Sequence, residues 1–346
     1  HDLPQLPFTR ERLDSLELYP FKQLVKAGAS GFMVAHMNIP ALDKTPNLPS
    51  TLSKPIVTGM LKNDLGFKGL IFSDAMEMKG VAKFYPNGEG DVLGIIAGLD
   101  VIELSTNSKR AVKLVRKAVQ RKELSREQLE SSIKKMLYAK YWAGLDKKQN
   151  VSPYNIVSDL HRPEARALNQ KLADAAVTIL NSDSWIRNID YSKKTAILTL
   201  GSSEITPIQR SLKPLFSNSM NYILPKDISD AEIENVKREL QSFEQVIVNL
   251  HDFRRRPAPV LDYTNGLKLF IAELAKMNSL FNVFANPYTL GGLPGIESAK
   301  TIILNYQNTD QAQSATFRTI TGELRVNGKL PVTVSPAFKN GDGIVR

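Results

Sequence analysis

Short apolar runs alternate with amphipathic helical stretches through the first 140 residues. The runs predict strands at 31–36, 70–72 and 101–104, each followed by a stretch with helical spacing. Helices are predicted at 9–27, 53–65, 109–122 and from 126 onward, after a Ser125 to Gln128 capping box. Strands that alternate with helices are typical of a parallel sheet with right-handed crossovers. Three strands are too few to close an eight-stranded barrel.

The second half of the chain shows the same alternation after a stretch with little periodicity, at 145–162. Pro163 begins a helix that is predicted to run through Leu180. Five strands follow, at 196–200, 222–224, 246–250, 281–285 and 301–304. Their intervening helices are predicted near 205–212, 231–240, 267–277 and 309–321. This order predicts a doubly wound α/β sandwich.

Composition excludes several classes of protein. The chain has 346 residues, a net charge of +10, no cysteine and four histidines without close pairing, so thiolate chemistry is excluded and a zinc site is not expected. The dense basic cluster Arg254-Arg255-Arg256 lies in a Pro-rich loop without a nucleic-acid-binding motif, which argues against nucleic acid as a partner. No apolar run reaches the roughly 20 residues needed to cross a membrane. The absence of cysteine fits an oxidising cell-envelope compartment, so we expect a bacterial periplasmic, envelope or secreted location.

Asp74 is the leading candidate for a catalytic residue. It follows the buried run 70–72 directly, and parallel barrels carry their chemistry at the carboxyl ends of strands. A structural alternative is that Asp74 caps the next helix, which Ser-Asp pairs after a strand often do.

Several segments, spread over almost the whole chain, occur in the order found in one enzyme family. They are His1-Asp-Leu-Pro4, Leu16-Glu-Leu-Tyr-Pro-Phe21, Met33-Val-Ala-His36, Pro40-Ala-Leu-Asp43, Leu52-Ser53, Phe72-Ser-Asp-Ala-Met-Glu-Met78, Asn286-Pro-Tyr288 and Gly328-Lys-Leu-Pro-Val332. By this ordered set the chain resembles glycoside hydrolase family 3, in its β-N-acetylglucosaminidase branch. The resemblance implies an α/β fold: the C-terminal part of a TIM-type barrel over 1–144, a linker and connecting helix over 145–190, and an α/β sandwich over 191–346.

The resemblance also implies a reaction. Asp74 would be the nucleophile of a retaining hydrolase that releases terminal β-linked N-acetylglucosamine from peptidoglycan-derived or chitin-type glycans, with no metal or organic cofactor. In this branch a histidine held by an aspartate, in an Asp-Ser-His-x-Asp-Leu-Pro loop, transfers the proton. Residues 2–4 match the end of that loop, which puts His1 on its variable position and disfavours His1 as the acid/base.

We therefore expect this chain to correspond to the C-terminal two-thirds of an enzyme and to be inactive alone. Its partners would be the carbohydrate substrate and an N-terminal half-barrel of the same protein. The full-length protein would be cleaved or disordered at the loop that carries the proton-transferring histidine and its aspartate. Two alternatives stay open: a family 3 β-glucosidase or xylosidase, which takes its acid/base from a glutamate, and a non-catalytic carbohydrate-binding fragment.

Other residues are weaker candidates for the site. His36 and Met78 could contact the sugar, although His36 could equally fix a neighbouring loop. Met76 is expected to be a packing residue. His161 and His251 are expected to be solvated, and three further carboxylates lack motif support for acid/base work: Glu77, Asp91 and Glu103.

Overall fold

The computed structural model describes residues 3–147, 150, 152–256 and 258–346. The chain divides into two compact units, His1–Val151 (unit 1) and Ser152–Arg346 (unit 2). Within the described residues, no helix is both long and apolar enough to span a bilayer.

Unit 1 is built around a short parallel sheet. Its strands are β1 (Gly31–Val34) and β2 (Leu70–Ser73), paired in parallel with Gly31 opposite Leu70. Its α-helices are α1 (Arg10–Arg12), α2 (Tyr19–Lys26), α3 (Lys79–Ala82), α4 (Glu89–Ala97), α5 (Ser108–Gln120) and α6 (Arg126–Trp142). Two π-helical segments (Leu13–Glu17 and Pro55–Asp64) and a 3-10 turn (Ser50–Leu52) complete the unit. The predicted βα alternation is thus observed.

The third predicted strand of unit 1 is much shorter than expected. Of 101–104, Val101 alone forms a bridge, to Phe72, and Leu104 has φ 46°, which ends extended pairing there. Ser125 caps α6 by accepting from the Gln128 N–H, as predicted. The return bond of the predicted capping box, from the Gln128 side chain to the Ser125 backbone, is wrong, because Gln128 Nε2 donates to the Ile95 carbonyl instead.

A buried ion pair attaches α6 to β2. The Asp100 side chain is 1% exposed and accepts from Lys135 Nζ at 3.0 Å, Ser132 Oγ at 2.6 Å and the Ile71 N–H at 3.0 Å. These three donors compensate for the desolvation of the carboxylate. The core beneath the sheet contains six buried residues: Val57, Leu61, Phe67, Ile71, Ala97 and Leu99.

Unit 2 has a six-stranded sheet in the order β3-β8-β7-β6-β4-β5. Its strands are β3 (Thr178–Asn181), β4 (Thr195–Leu200), β5 (Ser219–Leu224), β6 (Gln245–His251), β7 (Ser279–Phe284) and β8 (Thr301–Leu304). Its α-helices are α7 (Ile156–Leu160), α8 (Pro163–Ala176), α9 (Ser184–Arg187), α10 (Pro207–Leu212), α11 (Asp230–Leu240), α12 (Asn265–Ala275) and α13 (Asp310–Thr321). The five predicted strands are confirmed and pair in parallel with one another.

The predicted end of the first long helix in this unit is wrong. The helix that begins at Pro163 ends at Ala176, and Thr178–Asn181 forms the edge strand β3, antiparallel to β8. Thr178 and Ile179 are β-branched and fully buried against β8, a non-local pairing that helical periodicity does not reveal.

The sheet of unit 2 is covered on both faces. One face packs with α11 and α12 around Phe270 and Phe281, and the other packs with α10 and α13 around Phe216 and Phe284. The capping box that Ser229 and Glu232 form at the start of α11 is confirmed. All six residues of β4 and all seven of β6 are buried, as expected for central strands of a sheet covered on both faces.

Candidate active site

Asp74 lies immediately beyond β2, at its carboxyl end. Its N–H donates to the Val34 carbonyl at 3.1 Å, which extends the β1–β2 pairing by one bond. Its carboxylate is partly exposed, and Oδ1 accepts from the Ala75 N–H at 2.8 Å. The other oxygen, Oδ2, has no hydrogen-bond partner among the described residues. The bonding therefore fixes the carboxylate and leaves one oxygen open to a reacting group.

The loop after Asp74 is anchored to the segment that follows Val101. Ser73 Oγ accepts from the Glu103 N–H at 2.8 Å, and the Met76 N–H donates to the Glu103 carbonyl at 3.0 Å. Met76 is 2% exposed and packs with Leu52 and Val81, so its expected packing role is confirmed. The nucleophile candidate thus lies on a loop held from two sides.

His36 lies behind this loop and is 3% exposed. Its Nε2 is 3.0 Å from the Ala75 carbonyl, which can only accept, so Nε2 carries a proton. Its Nδ1 is 2.6 Å from Thr51 Oγ1, which also lies 3.0 Å from the Ala35 carbonyl. Both ring nitrogens are occupied by protein groups. This geometry favours His36 as a residue that positions the Asp74 loop; its proposed sugar contact stays a prediction.

The segment 50–53 fixes the end of β1 in the same way. Ser50 Oγ donates to the Ala35 carbonyl at 2.5 Å and accepts from the Met37 N–H at 3.2 Å. Ser53 Oγ donates to Asp43 Oδ2 at 2.5 Å. Burial opposes the charge on Asp43, but the hydrogen bonds from Ser53 and Thr45 outweigh it and hold the pKa of that carboxyl below its usual range. Asp43 is therefore a structural anion.

The amino-terminal segment lies beside these groups. The Asn38 N–H donates to the Pro4 carbonyl at 2.7 Å, and the Leu6 N–H donates to the Asn38 carbonyl at 2.8 Å. Leu3 lies against Gly80 near His36, since a Cβ built on Gly80 would be 3.6 Å from Leu3 Cδ1 and 3.7 Å from His36 Cβ. Leu3 and Pro4 thus lie close to the segment that follows Asp74. His1 and Asp2 lie outside the described residues.

The remaining acidic side chains near Asp74 in the sequence differ in how far they are exposed to solvent. Asp91 is 3% exposed and accepts a short hydrogen bond from Ser105, whereas Glu77 and Glu103 are exposed. The Met78 side chain is 44% exposed and is therefore accessible to a ligand. Within the described part of the chain, no group of three or more potential ligands could hold a metal ion.

The two other histidines lie in unit 2. His161 is exposed, as expected, but the prediction that His251 is solvated is wrong, because His251 ends β6 and is 1% exposed. It stacks between Phe253 and Phe284, with centroid distances of 5.6 and 4.8 Å. Burial lowers the pKa of His251 to about 4, opposed by the hydrogen bond to Asn308.

Comparisons with known proteins agree with this architecture. Residues 1–139 match the model of the glycosyl hydrolase family 3 N-terminal domain. The chain is 25% identical over 240 residues to beta-hexosaminidase A of Pseudoalteromonas piscicida, covering 63% of this chain and 39% of that protein. It is 20% identical over 347 residues to a beta-N-acetylglucosaminidase/beta-glucosidase of Cellulomonas fimi, covering 90% and 59%.

A solved structure is similar over nearly the whole chain. The family 3 beta-N-acetylglucosaminidase of Paenibacillus sp. strain FPU-7 superposes with a TM-score of 0.70 at 26% identity, covering 97% of this chain and 64% of that one. The resemblance of this chain to glycoside hydrolase family 3, and to its hexosaminidase branch, is confirmed by these comparisons. The chain spans between about two fifths and two thirds of the length of these relatives.

Proposed function

We propose that this chain is the part of a retaining β-N-acetylglucosaminidase that carries its nucleophile, Asp74. The observation that carries the proposal is the open Oδ2 of a carboxylate fixed at a strand's carboxyl end. The named relatives supply the substrate class, terminal β-linked N-acetylglucosamine. The compartment stays a prediction, a bacterial envelope or secreted location.

The chemistry follows from the two oxygens of Asp74. Oδ2 attacks the anomeric carbon and forms a glycosyl ester while the glycosidic oxygen leaves, taking a proton from an acid. Water then attacks the anomeric carbon, gives its proton to the same group acting as base, and releases the sugar with retention. The bond from the Ala75 N–H keeps Oδ1 in place through both steps.

The acid/base comes, in this proposal, from the loop that ends in Asp-Leu-Pro. Leu3 and Pro4 lie beside Gly80 and Asn38, so residues just upstream of them would approach the Asp74 loop. A second candidate activity, β-glucosidase, is favoured by the dual name of the Cellulomonas fimi relative. It would need a glutamate as acid, and Glu77 and Glu103 are exposed, with no partner among the described residues that fixes either carboxylate.

We also propose that further strands of the same protein complete unit 1. Parallel sheets are stable when buried on both faces, yet β1 pairs with β2 alone among the described residues and Met33 on its outer face is 60% exposed. A groove of about 620 Å³ lies between the sheet and α6, lined by Phe72, Tyr138 and Trp142. An upstream half-barrel would cover this groove and the free edge of β1.

The test compares this chain with the protein that includes its upstream segment. An aryl N-acetylglucosaminide that requires leaving-group protonation should be hydrolysed by the longer protein and not by residues 1–346. Supplying the upstream segment as a separate polypeptide should restore turnover. Efficient hydrolysis by residues 1–346 alone would contradict the placement of the acid/base. A preference of the longer protein for the aryl glucoside would favour the second candidate.

A further inference from the structure

The exposed side of α5 carries a dense set of positive charges that the proposed reaction does not use. Residues 108–122 contain seven basic side chains and no Asp or Glu. The seven are Lys109, Arg110, Lys113, Arg116, Lys117, Arg121 and Lys122. The whole chain has a net charge of +10, so this short segment holds most of it.

The helix separates these charges from an apolar side. Small and aliphatic residues make up the side of α5 that is buried or partly buried, namely Ala111, Leu114, Val115, Ala118 and Val119. Four of the cations are exposed and follow one another at intervals of one to four residues: Lys109, Lys113, Arg116 and Lys117. At 100° per residue they fall on the opposite side of the helix, in a row about 12 Å long. We call this row the basic side of α5.

Few acidic groups neutralise these cations. Arg110 pairs with Glu89 at 3.0 Å, and Arg121 lies 3.9 Å from Glu123. The four residues of the basic side form no ion pair with the part of the chain that the structure describes. Lys113 is one turn from both Lys109 and Lys117, and like charges at this spacing destabilise a helix. An anionic partner would relieve that repulsion.

The chemistry of the basic side favours an anionic surface that has no fixed shape. Residues 108–122 include no aromatic ring on which a nucleic-acid base could stack. The apolar side of α5 is packed within unit 1, so the helix cannot insert into a bilayer and can contact headgroups only. Long side chains in a row along a helix axis can all reach a plane at once. Basic clusters of this size on an amphipathic helix are typical of binding to anionic lipids.

We propose that the basic side of α5 binds the surface of an anionic lipid bilayer through the phosphate groups of its lipids. The contact is electrostatic and peripheral. It weakens with salt, because the screening length falls from about 10 Å at 0.1 M to about 3 Å at 1 M. The inference does not rest on Asp74 or on the proposed reaction. It would hold the chain at a membrane and so make the predicted envelope location more specific.

The experiment measures cosedimentation of residues 1–346 with large unilamellar vesicles. One set contains phosphatidylglycerol and phosphatidylcholine, and the other contains phosphatidylcholine alone. We expect binding to the anionic set in low salt, its loss near 1 M salt, and little binding to the neutral set. The neutral vesicles also report adsorption through the exposed apolar residues of unit 1, such as Trp142.

A triple variant tests the position of the charges. Lys113→Glu, Arg116→Glu and Lys117→Glu together should weaken binding to anionic vesicles at least about 100-fold, since each basic residue near such a surface contributes about fivefold. The matched control is Arg255→Glu with Arg256→Glu and Lys276→Glu, at exposed positions of unit 2. Both variants lower the net charge from +10 to +4, because each substitution exchanges a positive for a negative charge. The control should keep most of the affinity.

A second triple variant keeps the test decisive if charge reversal disturbs the fold. Glutamine has a helix propensity close to that of lysine and arginine, so Lys113→Gln with Arg116→Gln and Lys117→Gln should preserve α5 and still weaken binding. Equal binding to neutral and anionic vesicles, or equal losses in the α5 variants and the control, would overturn the proposal. Binding to soluble polyglutamate without binding to vesicles would also overturn it, in favour of an acidic polymer.

The proposed function is tested separately, by turnover in the longer protein. The α5 variants should keep that turnover on a soluble aryl N-acetylglucosaminide. Loss of turnover in Asp74→Asn with vesicle binding retained would show that the two properties are independent.

Discussion

The two units of this chain differ in how completely they bury their sheets. Unit 2 has six strands with helices on both faces, and its central strands are inaccessible to solvent. Unit 1 has two short parallel strands, and five large apolar side chains at the end of α6 are more than half exposed: Leu137, Tyr138, Tyr141, Trp142 and Leu145. A sheet that small does not close a parallel fold.

The candidate chemistry belongs to the unit whose sheet is less completely buried. Asp74 and its supporting groups are well ordered by hydrogen bonds, yet the apolar surface of the same unit is uncovered. The comparison shows that hydrogen bonds can fix the geometry of a site even where the unit that carries it leaves much of its apolar surface exposed. The four predictions below test this contrast, from the largest expected effect to the smallest.

The largest effect is expected when the units are expressed separately. Residues 152–346 should unfold in one cooperative transition, with an enthalpy of about 0.7 kcal/mol per residue near 60 °C. Residues 1–151 should show no such transition, because their apolar surface cannot be buried within the unit. Differential scanning calorimetry measures both. A sharp calorimetric peak from 1–151 alone would remove the argument for missing strands.

The second effect is catalytic and concerns unit 1. In the longer protein, Asp74→Asn should lower kcat/KM by more than about 10³-fold, equivalent to about 4 kcal/mol of barrier. Glu77→Gln is the matched control, an exposed carboxylate three residues away that should change activity little. Steady-state kinetics on an aryl N-acetylglucosaminide gives both values. A loss of a few-fold in the Asp74 variant would exclude covalent catalysis by this residue.

The third effect is a pH dependence confined to unit 2. The pKa of His251 is about 4 in the folded state, below that of an unfolded histidine near 6.5, so the unfolded state binds more protons between these values. Stability is therefore unaffected by His251 above pH 6.5 and falls as the pH drops toward 4. The loss approaches about 3 kcal/mol, since each pKa unit contributes about 1.4 kcal/mol.

Urea unfolding of residues 152–346 at several pH values measures this slope. His251→Asn should flatten the curve between pH 6.5 and 4 relative to the unmodified unit. His161→Asn, at an exposed histidine, should leave it unchanged. Equal slopes in all three proteins would show that His251 is protonated in the folded state.

The sequence predicted features that depend on neighbours along the chain. Asp74 is a candidate because a short buried run ends beside it, and the structure places it directly beyond β2. Ser229 and Glu232 cap α11 as their spacing predicts. Features that depend on distant residues were missed. His251 is buried by Phe253 and Phe284, and β3 exists because β8, more than 100 residues later, pairs with it.

The surroundings of Asp74 show the same division. His36 bonds to Thr51 and Ala75, which are 15 and 39 residues away, so the sequence left open whether it faced the sugar or fixed a loop.

The smallest effect is expected at Trp142, which is 86% exposed at the end of α6. In residues 1–346, Trp142→Ser should change the free energy of unfolding by less than about 0.5 kcal/mol, because little of the ring leaves a packed environment. In the longer protein the same substitution should cost about 2–3 kcal/mol or more, since strands that cover the groove would bury the ring. Chemical denaturation of the two pairs of proteins measures the difference. Equal costs in both would mean that nothing covers Trp142, and the half-barrel would have to dock elsewhere on unit 1.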